Sequence, residues 1–282
     1  MVTETSHRDT LLERVTGLPP FPQVLMRVWQ VIDNPATDAA RLAEAVSADP
    51  SLVATLLKLA NSAAYGRLRA VGTVQEAILV LGFKAIKQLC VASIVKVGLL
   101  IRGQGQGGFD RVAHWRHCMG AALTADVLDR LGGLGLGDQA FSYGLLHDVG
   151  LLAVERCMPQ GLAQACQRQA AGGTLLEAER EVLGVDHLEA GGELARAWNF
   201  PPALERTIVH HARPRCMAGH EMEALVHVSC ALTDPAGFCR TEDTAETLEE
   251  TRRFLRLSSE QLDDAQRQVG SRLTQLAGVL EL

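Results

Sequence analysis

Apolar residues recur every three or four positions along most of the chain, the spacing that places side chains on one face of an α-helix. In residues 18–35 they follow this spacing between bounding prolines, at Val24, Leu25, Val28, Val31 and Ile32. The same signal, with polar caps and with Pro or Gly stops, continues in residues 37–50, 51–66, 73–82 and 83–101. The N-terminal third is therefore predicted to be helical.

Residues 103–108, GQGQGG, interrupt this pattern and predict a linker. The helical spacing then resumes in residues 109–133, 139–157, 174–184, 187–199, 201–212 and 222–234, and two amphipathic helices follow from about residue 244. No segment alternates with the period of two that strands show. We predict an all-α, two-part helical bundle: an N-terminal helical unit over 1–104, a helical domain over 109–240, and C-terminal helices over 241–282 packing on the bundle.

Composition narrows the class of protein. The chain has 282 residues, 47% of them hydrophobic, enough to build one large core or two smaller ones. The most apolar stretch, residues 88–101, contains Lys96 and is too short for a membrane span, and the N-terminus lacks a signal-peptide core. Seven cysteines without a CxxC pair suit reduced thiols. We expect a cytoplasmic protein with no membrane partner, and no feature predicts nucleic-acid binding.

Positive charge is concentrated in one segment. Residues 51–102 carry seven Lys or Arg against Glu76 alone, a sum of +6 in a chain of net charge −6. This segment is either a solvated basic face or a docking surface for an acidic partner or a phosphate. Asn61 and Ser62, close to its arginines, could contact a phosphate or only the local backbone. The docking candidates are Lys58, Arg67, Arg69, Lys84 and Lys87.

Histidines are concentrated in the second half of the chain. Eight of the nine lie between residues 114 and 227, on several predicted helices, and His147 is followed by Asp148. Imidazoles from separate helices, with a carboxylate, are how a helical bundle builds a metal pocket. A lone histidine on an apolar helix is more often a satisfied core residue, and His210–His211 could cap a helix end. Spacing alone leaves both interpretations open.

Several segments resemble the HDOD family, the HD-related output domain of bacterial signalling proteins. The resemblance runs from about Leu18 to about Asp234 and is carried by LPPFPQVLMRVWQVIDNP, AVSADPSLVATLLKLANSAAYG, VGTVQEAILVLGFKAIKQL, FSYGLLHDVGLLAV and DHLEAGGELARAWNFPPALERTIVHHA. The second half is also similar to the wider HD phosphohydrolase superfamily and its cyclic-di-GMP phosphodiesterase branch. The resemblance implies an all-α fold and a regulatory, mostly non-catalytic output role in two-component or cyclic-di-GMP signalling.

The resemblance to the catalytic branch also implies a ligand set. By position it comprises His117, His147, Asp148, His187, His210 and His211, with Cys230 where the catalytic branch has a final aspartate. Ala113 stands in place of a glutamate ligand, Leu151 in place of a phosphate-binding lysine, and the acidic and Gly-Tyr-Pro motif after His211 is absent. Fewer carboxylates weaken a two-metal site, and a cysteine ligand favours zinc or iron over magnesium or manganese.

These departures direct the functional prediction. We predict a non-catalytic output protein that docks to a signalling partner and keeps a divalent metal site, with no catalytic residues. The first alternative is a metal-dependent phosphohydrolase, which the retained ligands favour. The second is a nucleotide-sensing module that binds without cleaving.

Overall fold

Polar caps and glycines divide the chain into α-helices, as the sequence pattern predicts. The computed structural model describes residues 4–19, 30–31, 34, 36–62, 70–95, 109–233 and 245–280, and every regular element in those ranges is helical. The all-α prediction is thereby confirmed. Most of the predicted helix over 18–35, the linker 103–108, and the docking candidates Arg67 and Arg69 lie outside the described residues.

The chain forms two compact units. The larger comprises residues 1–20 and 100–269, and the smaller comprises residues 21–99 and 270–282. Residues 1–20 thus lie in the larger unit and residues 270–282 in the smaller, whereas the predicted units were continuous in sequence. The domain boundaries predicted near residues 104 and 240 fall in segments outside the described ranges and stay predictions.

Among the described residues, the smaller unit contains short helices whose ends are encoded locally. The Asp38 carboxylate accepts the Arg41 N–H at the start of the helix Ala39–Ser47, and Thr73 and Glu76 form a capping box at the start of the helix Val74–Leu81. The apolar faces of these helices meet in a core that contains Leu42, Leu56 and Ile86. The helices are α2 (Ala39–Ser47), α3 (Pro50–Ala60), α4 (Val74–Leu81) and α5 (Phe83–Val95).

The larger unit is a bundle built around one long helix. Its helices are α1 (Glu4–Thr16), α6 (Arg111–Gly132), α7 (Asp138–Leu146), α8 (Val149–Cys157), α9 (Pro159–Ala171), α10 (Leu175–Leu183), α11 (His187–Ala197), α12 (Pro202–His210), α13 (Glu221–Leu232), α14 (Ala245–Phe254) and α15 (Ser259–Leu280). α6 packs on α7 and α13, and α8 packs on α11. α14 packs on α13, as expected of a tail helix, and α15 belongs to this unit as far as residue 269.

Two helices of this unit were not predicted. α1 packs on α8, α10 and α11 and completely buries Leu11 and Val15. α9 has only Leu162 and Ala165 fully buried, so its sequence carries a weak apolar stripe. Both helices depend on packing against neighbours more than on a local amphipathic signal. The single helix predicted over residues 139–157 is two helices, α7 and α8, separated by the His147–Asp148 pair.

Candidate metal centre

The His147–Asp148 pair lies at the break between α7 and α8. Asp148 has φ −110° and ψ 26°, away from helical values, and stands where a carboxylate commonly caps the following helix. Its side chain makes no such cap. Instead Oδ2 lies 3.0 Å from His114 Nε2, and Oδ1 lies 3.5 Å from His187 Nε2. The break therefore directs the carboxylate toward histidines of α6 and α11.

Two glycines bring helices into backbone contact beside this pair. A Cβ on Gly144 would lie 2.8 Å from Ala122 Cα in α6, and a Cβ on Gly150 would lie 1.9 Å from the His187 carbonyl oxygen in α11. Neither distance leaves room for a carbon atom, whose nonbonded contacts begin near 3.5 Å. Glycine at these positions lets α7 approach α6 and α8 approach α11, which carries His187 to the pair.

Six of the seven predicted ligands converge in two groups of three, and within each group the ligand atoms all lie within 4.8 Å of one another. The first group contains His117, His147 and Cys230, and the second contains Asp148, His187 and His211. His147 joins the groups, since its Nε2 lies 3.2 Å from His117 Nε2 and its ring centroid lies 4.7 Å from that of His211. All six residues are at most 5% exposed.

Hydrogen bonds on the far side of two rings determine which nitrogen faces the pocket. Nδ1 of His147 lies 2.6 Å from the Gly144 carbonyl oxygen, and Nδ1 of His211 lies 2.9 Å from that of Ile208. A carbonyl oxygen only accepts, so each Nδ1 donates its proton and each Nε2 keeps a lone pair. His211 thus satisfies a carbonyl at the end of α12 and offers a ligand atom as well, so the two interpretations of this residue are compatible.

Burial and neighbouring charges set the protonation of the pocket. Burial, reinforced by neighbouring imidazoles, holds the pKa of His147 well below its ordinary value, and burial lowers the pKa of His211 to about 4. Burial would raise the pKa of Asp148, but His187 and His114 outweigh it and bring that pKa below its usual range. Burial would lower the pKa of His187, but Glu179 and Asp148 outweigh it and raise that pKa to about 9. Neutral imidazoles and an ionised carboxylate are the forms that bind metals, and His187 would release a proton on binding.

The donor set fits a divalent metal. Oδ1 of Asp148 is buried and accepts no hydrogen bond from the part of the chain that the structure describes. The Cys230 side chain is completely buried beside two imidazoles. Imidazole, thiolate and carboxylate together are ligands typical of zinc and iron, whereas magnesium prefers oxygen alone.

Three buried side chains behind the ligands were not predicted as site residues: His114, Glu179 and His227. Oε2 of Glu179 lies 2.6 Å from His187 Nδ1, and Nδ1 of His227 donates to the His211 carbonyl oxygen at 2.8 Å. Glu179 precedes its partner by eight residues across a turn, which helical periodicity does not encode. The available signal is an acidic residue within the apolar stripe of α10, whose neighbours on that face are buried.

The seventh predicted ligand, His210, does not join either group. It is half-buried and lines a separate cavity of about 330 Å³ together with Arg180, Arg196 and Arg213. Successive residues on a helix point about 100° apart, so only one of two adjacent histidines can face the pocket. The structure places His211 there.

Two positions that distinguish the catalytic branch have no charge in this chain. Leu151, where that branch has a lysine, is completely buried in the larger unit. Ala113, where it has a glutamate, is half-buried near the start of α6. Neither side chain can coordinate a metal or contact a phosphate through charge.

The docking candidates differ in exposure. Lys58 on α3 and Lys84 on α5 are exposed, whereas Lys87 is only 5% exposed and its Nζ lies 4.8 Å from the centre of the Phe83 ring. A cation over an aromatic face accounts for a buried lysine, which therefore cannot form part of an accessible surface. Asn61 hydrogen-bonds the backbone of Leu57 and Val71, which agrees with its local interpretation.

The sequence model of the HDOD domain matches residues 18–214, more than half of the chain. This chain belongs to the HDOD family. An uncharacterised protein from Treponema pallidum (strain Nichols) is 27% identical to it over 212 residues, covering 73% of this chain and 40% of the relative. The HDOD chain therefore spans about two fifths of the length of that curated relative.

Solved structures share the fold of this HDOD chain. An HDOD domain protein of unknown function from Geobacter sulfurreducens has a TM-score of 0.73 at 21% identity over 97% of each chain. A protein provisionally named a phosphohydrolase, from Shewanella amazonensis SB2B, has a TM-score of 0.74 at 24% identity over 97% of this chain and 99% of its own. One provisionally named a signal transduction protein, from Marinobacter aquaeolei VT8, has a TM-score of 0.79 at 21% identity over 99% of this chain and 66% of its own.

Sequence identities of 21–24% to these structures establish a shared fold, but not a shared activity or partner. Among the helices that the structure describes, none has both the length and the apolar character to cross a membrane.

Proposed function

We propose that this HDOD chain is a non-catalytic signalling output module that docks to a partner protein and holds a divalent metal as a structural element. The observation that carries the proposal is the number of protein ligands, because six buried ligand residues converge here, more than the four that fill a structural zinc site. Structural metal sites are closed, whereas hydrolytic sites keep a coordination position open to water and substrate.

The residues around the ligands support the same assignment. Leu151 offers no cation to the oxygens of a transferring phosphoryl group, and electrostatic stabilisation of those oxygens is a large part of catalysis. Cys230 and Ala113 replace two carboxylates that would offset the charge of a metal pair. The retained histidines and Asp148 favour the phosphohydrolase alternative, which requires metal-dependent hydrolysis.

The proposed metal is zinc or iron rather than magnesium or manganese. His117, His147 and Cys230 would hold it on one side of the pocket, and Asp148, His187 and His211 would supply ligands on the other. When bound, the ion supplies a cross-link between α6, α11, α12 and α13. Because these ligands come from well-separated parts of the sequence, the cross-link acts on the tertiary structure of the larger unit.

The proposed docking surface lies on the smaller unit. Lys58 and Lys84 are exposed on α3 and α5, two helices in contact, within the segment of charge +6. Its field extends over about a Debye length, ~8 Å at physiological salt. Such a field speeds encounter with an acidic partner more than it raises affinity.

Elemental analysis of the purified chain, combined with hydrolysis assays on bis(p-nitrophenyl) phosphate and cyclic di-GMP, tests this function. We expect bound zinc or iron and hydrolysis no faster than that of a His147→Ala control. Metal-dependent turnover that the control abolishes would instead support the phosphohydrolase. A thermal shift produced by nucleotides, without turnover, would support the nucleotide-sensing alternative.

A further inference from the structure

We infer that Glu179 is a positioning residue for the metal site, holding the His187 ring in the orientation in which Nδ1 faces Glu179 and Nε2 faces the pocket. The inference rests on the proposed metal site and assigns a role within it to a residue outside the ligand set. It is carried by the contact between a buried carboxylate of α10 and the first residue of α11.

The geometry gives Glu179 two contacts with the same residue. Its Oε2 accepts the His187 backbone N–H at 3.0 Å and lies 2.6 Å from His187 Nδ1. A carboxylate facing Nδ1 requires that nitrogen to donate, so Nε2 of the neutral ring is directed toward Asp148 with its lone pair available. The Glu179 side chain is completely buried, which excludes water as a competing partner.

The group that faces Nδ1 of His187 differs from the groups that face Nδ1 of His147 and His211. His147 and His211 donate to backbone carbonyl oxygens, whereas His187 faces a carboxylate. A carboxylate behind a ligating imidazole orients the ring and makes its metal-facing nitrogen more basic. Glu179 therefore acts on the group of Asp148, His187 and His211.

A simpler explanation is that Glu179 only satisfies an unpaired N–H at the start of α11. That helix already has a cap, because the Asp186 carboxylate accepts the Glu189 N–H at 2.9 Å. Capping also needs no contact with an imidazole ring, yet the ring contact is the shorter of the two that Glu179 makes. Oε1 of Glu179 accepts no hydrogen bond among the described residues, so this buried carboxylate relies on His187 for its stabilisation.

Glu179→Gln separates the two roles, since the amide oxygen can still accept an N–H while the negative charge is lost. Glu181→Gln is the matched control, because Glu181 lies on the same helix but is exposed and pairs with Arg168 at the surface. Zinc affinity is measured for the wild-type chain and both variants by competition with a chelating indicator. We expect Glu179→Gln to weaken zinc binding about 10- to 100-fold, and the control to leave it unchanged.

Cobalt(II) provides a spectroscopic readout that is independent of activity. At saturating cobalt we expect the thiolate-to-metal charge-transfer band of Cys230 to persist in Glu179→Gln, because the group of His117, His147 and Cys230 does not contain His187. Loss of that band would overturn the assignment of Glu179 to His187.

The remaining outcomes are equally decisive. A zinc affinity of Glu179→Gln within about twofold of wild type would overturn the inference. If the metal-free variant also had a lower melting temperature than wild type, Glu179 would have a purely structural role. A wild-type chain that binds neither zinc nor cobalt would overturn the proposed metal site and this inference together. Zinc binding by wild type with no effect of Glu179→Gln would leave the metal site standing and remove only the inference.

Discussion

The cores of the two units differ in the polar and charged residues that they bury. In the described part of the smaller unit, the buried polar or charged residues are Thr37, Lys87, Gln88 and Ser93, without a histidine or an acid. The larger unit buries six histidines and seven carboxylates among the described residues, and four of those histidines contact the His147–Asp148 pair. The larger unit thus buries acids and imidazoles that the described core of the smaller unit does not contain.

Buried ionisable groups reduce stability unless each has a partner. The larger unit therefore needs partners placed close to its buried acids and imidazoles. The contacts of Asp148 with two histidines and of His187 with Glu179 supply part of that pairing. A metal would supply the rest. We therefore expect substitutions in the pocket to act on stability through metal binding, and substitutions on the basic helices to act on association alone.

The largest effect is expected at the glycine that spaces α8 from α11. Gly150→Ala would place a carbon 1.9 Å from a backbone oxygen, a clash that side-chain movement cannot relieve. We expect the free energy of unfolding to fall by at least about 3 kcal/mol, measured by chemical denaturation. Gly270→Ala in α15 is the control, since its Cβ would meet no atom of the described residues within 4 Å, and it should stabilise the chain by about 0.5–1 kcal/mol. Equal effects of the two variants would contradict the contact.

His147→Ala removes the residue that joins the two ligand groups. We expect loss of bound metal and a fall in unfolding free energy of about 2–4 kcal/mol in saturating zinc, the contribution of a ligand present far above its dissociation constant. Elemental analysis and thermal melting with and without a chelator measure both. His7→Ala, an exposed histidine, is the control. If a chelator destabilises wild type and His147→Ala equally, the pocket is not the metal site.

Cys230→Asp tests what the thiolate contributes. Carboxylate oxygen favours harder ions, so the zinc-to-manganese occupancy ratio should fall by about tenfold or more, equivalent to about 1.4 kcal/mol. Occupancy is measured after dialysis against both metals at equal concentration. We expect no gain of phosphodiester hydrolysis, because Leu151 remains. An unchanged occupancy ratio would mean that Cys230 does not contact the ion.

The smallest effect on stability is expected on the smaller unit. Lys58→Glu with Lys84→Glu changes two exposed side chains, so the unfolding free energy should stay within about 0.5 kcal/mol of wild type. Binding of a polyglutamate peptide, a probe for an acidic partner, should weaken markedly at low salt and little at high salt. Arg168→Glu on the larger unit is the control. Binding that survives both lysine substitutions would place docking elsewhere.

The sequence was informative where the signal is local. Helical spacing predicted the all-α class, and the family resemblance implied seven ligands, six of which converge. Three features were not predicted. The point where α12 ends decides that His211 rather than His210 faces inward, and a turn brings Glu179 to His187. Lys87 is buried on α5, with its Nζ over the ring of Phe83 one turn earlier.

The contact of Gly150 with the His187 carbonyl has a consequence for how such motifs are inherited. The glycine that follows the HD pair is required by the spacing of two helices, whether or not any ion is held between them. A descendant that lost every ligand would still be constrained to glycine at this position. A retained glycine at this position therefore indicates only that the helical fold is retained. Retained histidines and the carboxylate beside it are needed to indicate that metal binding is retained.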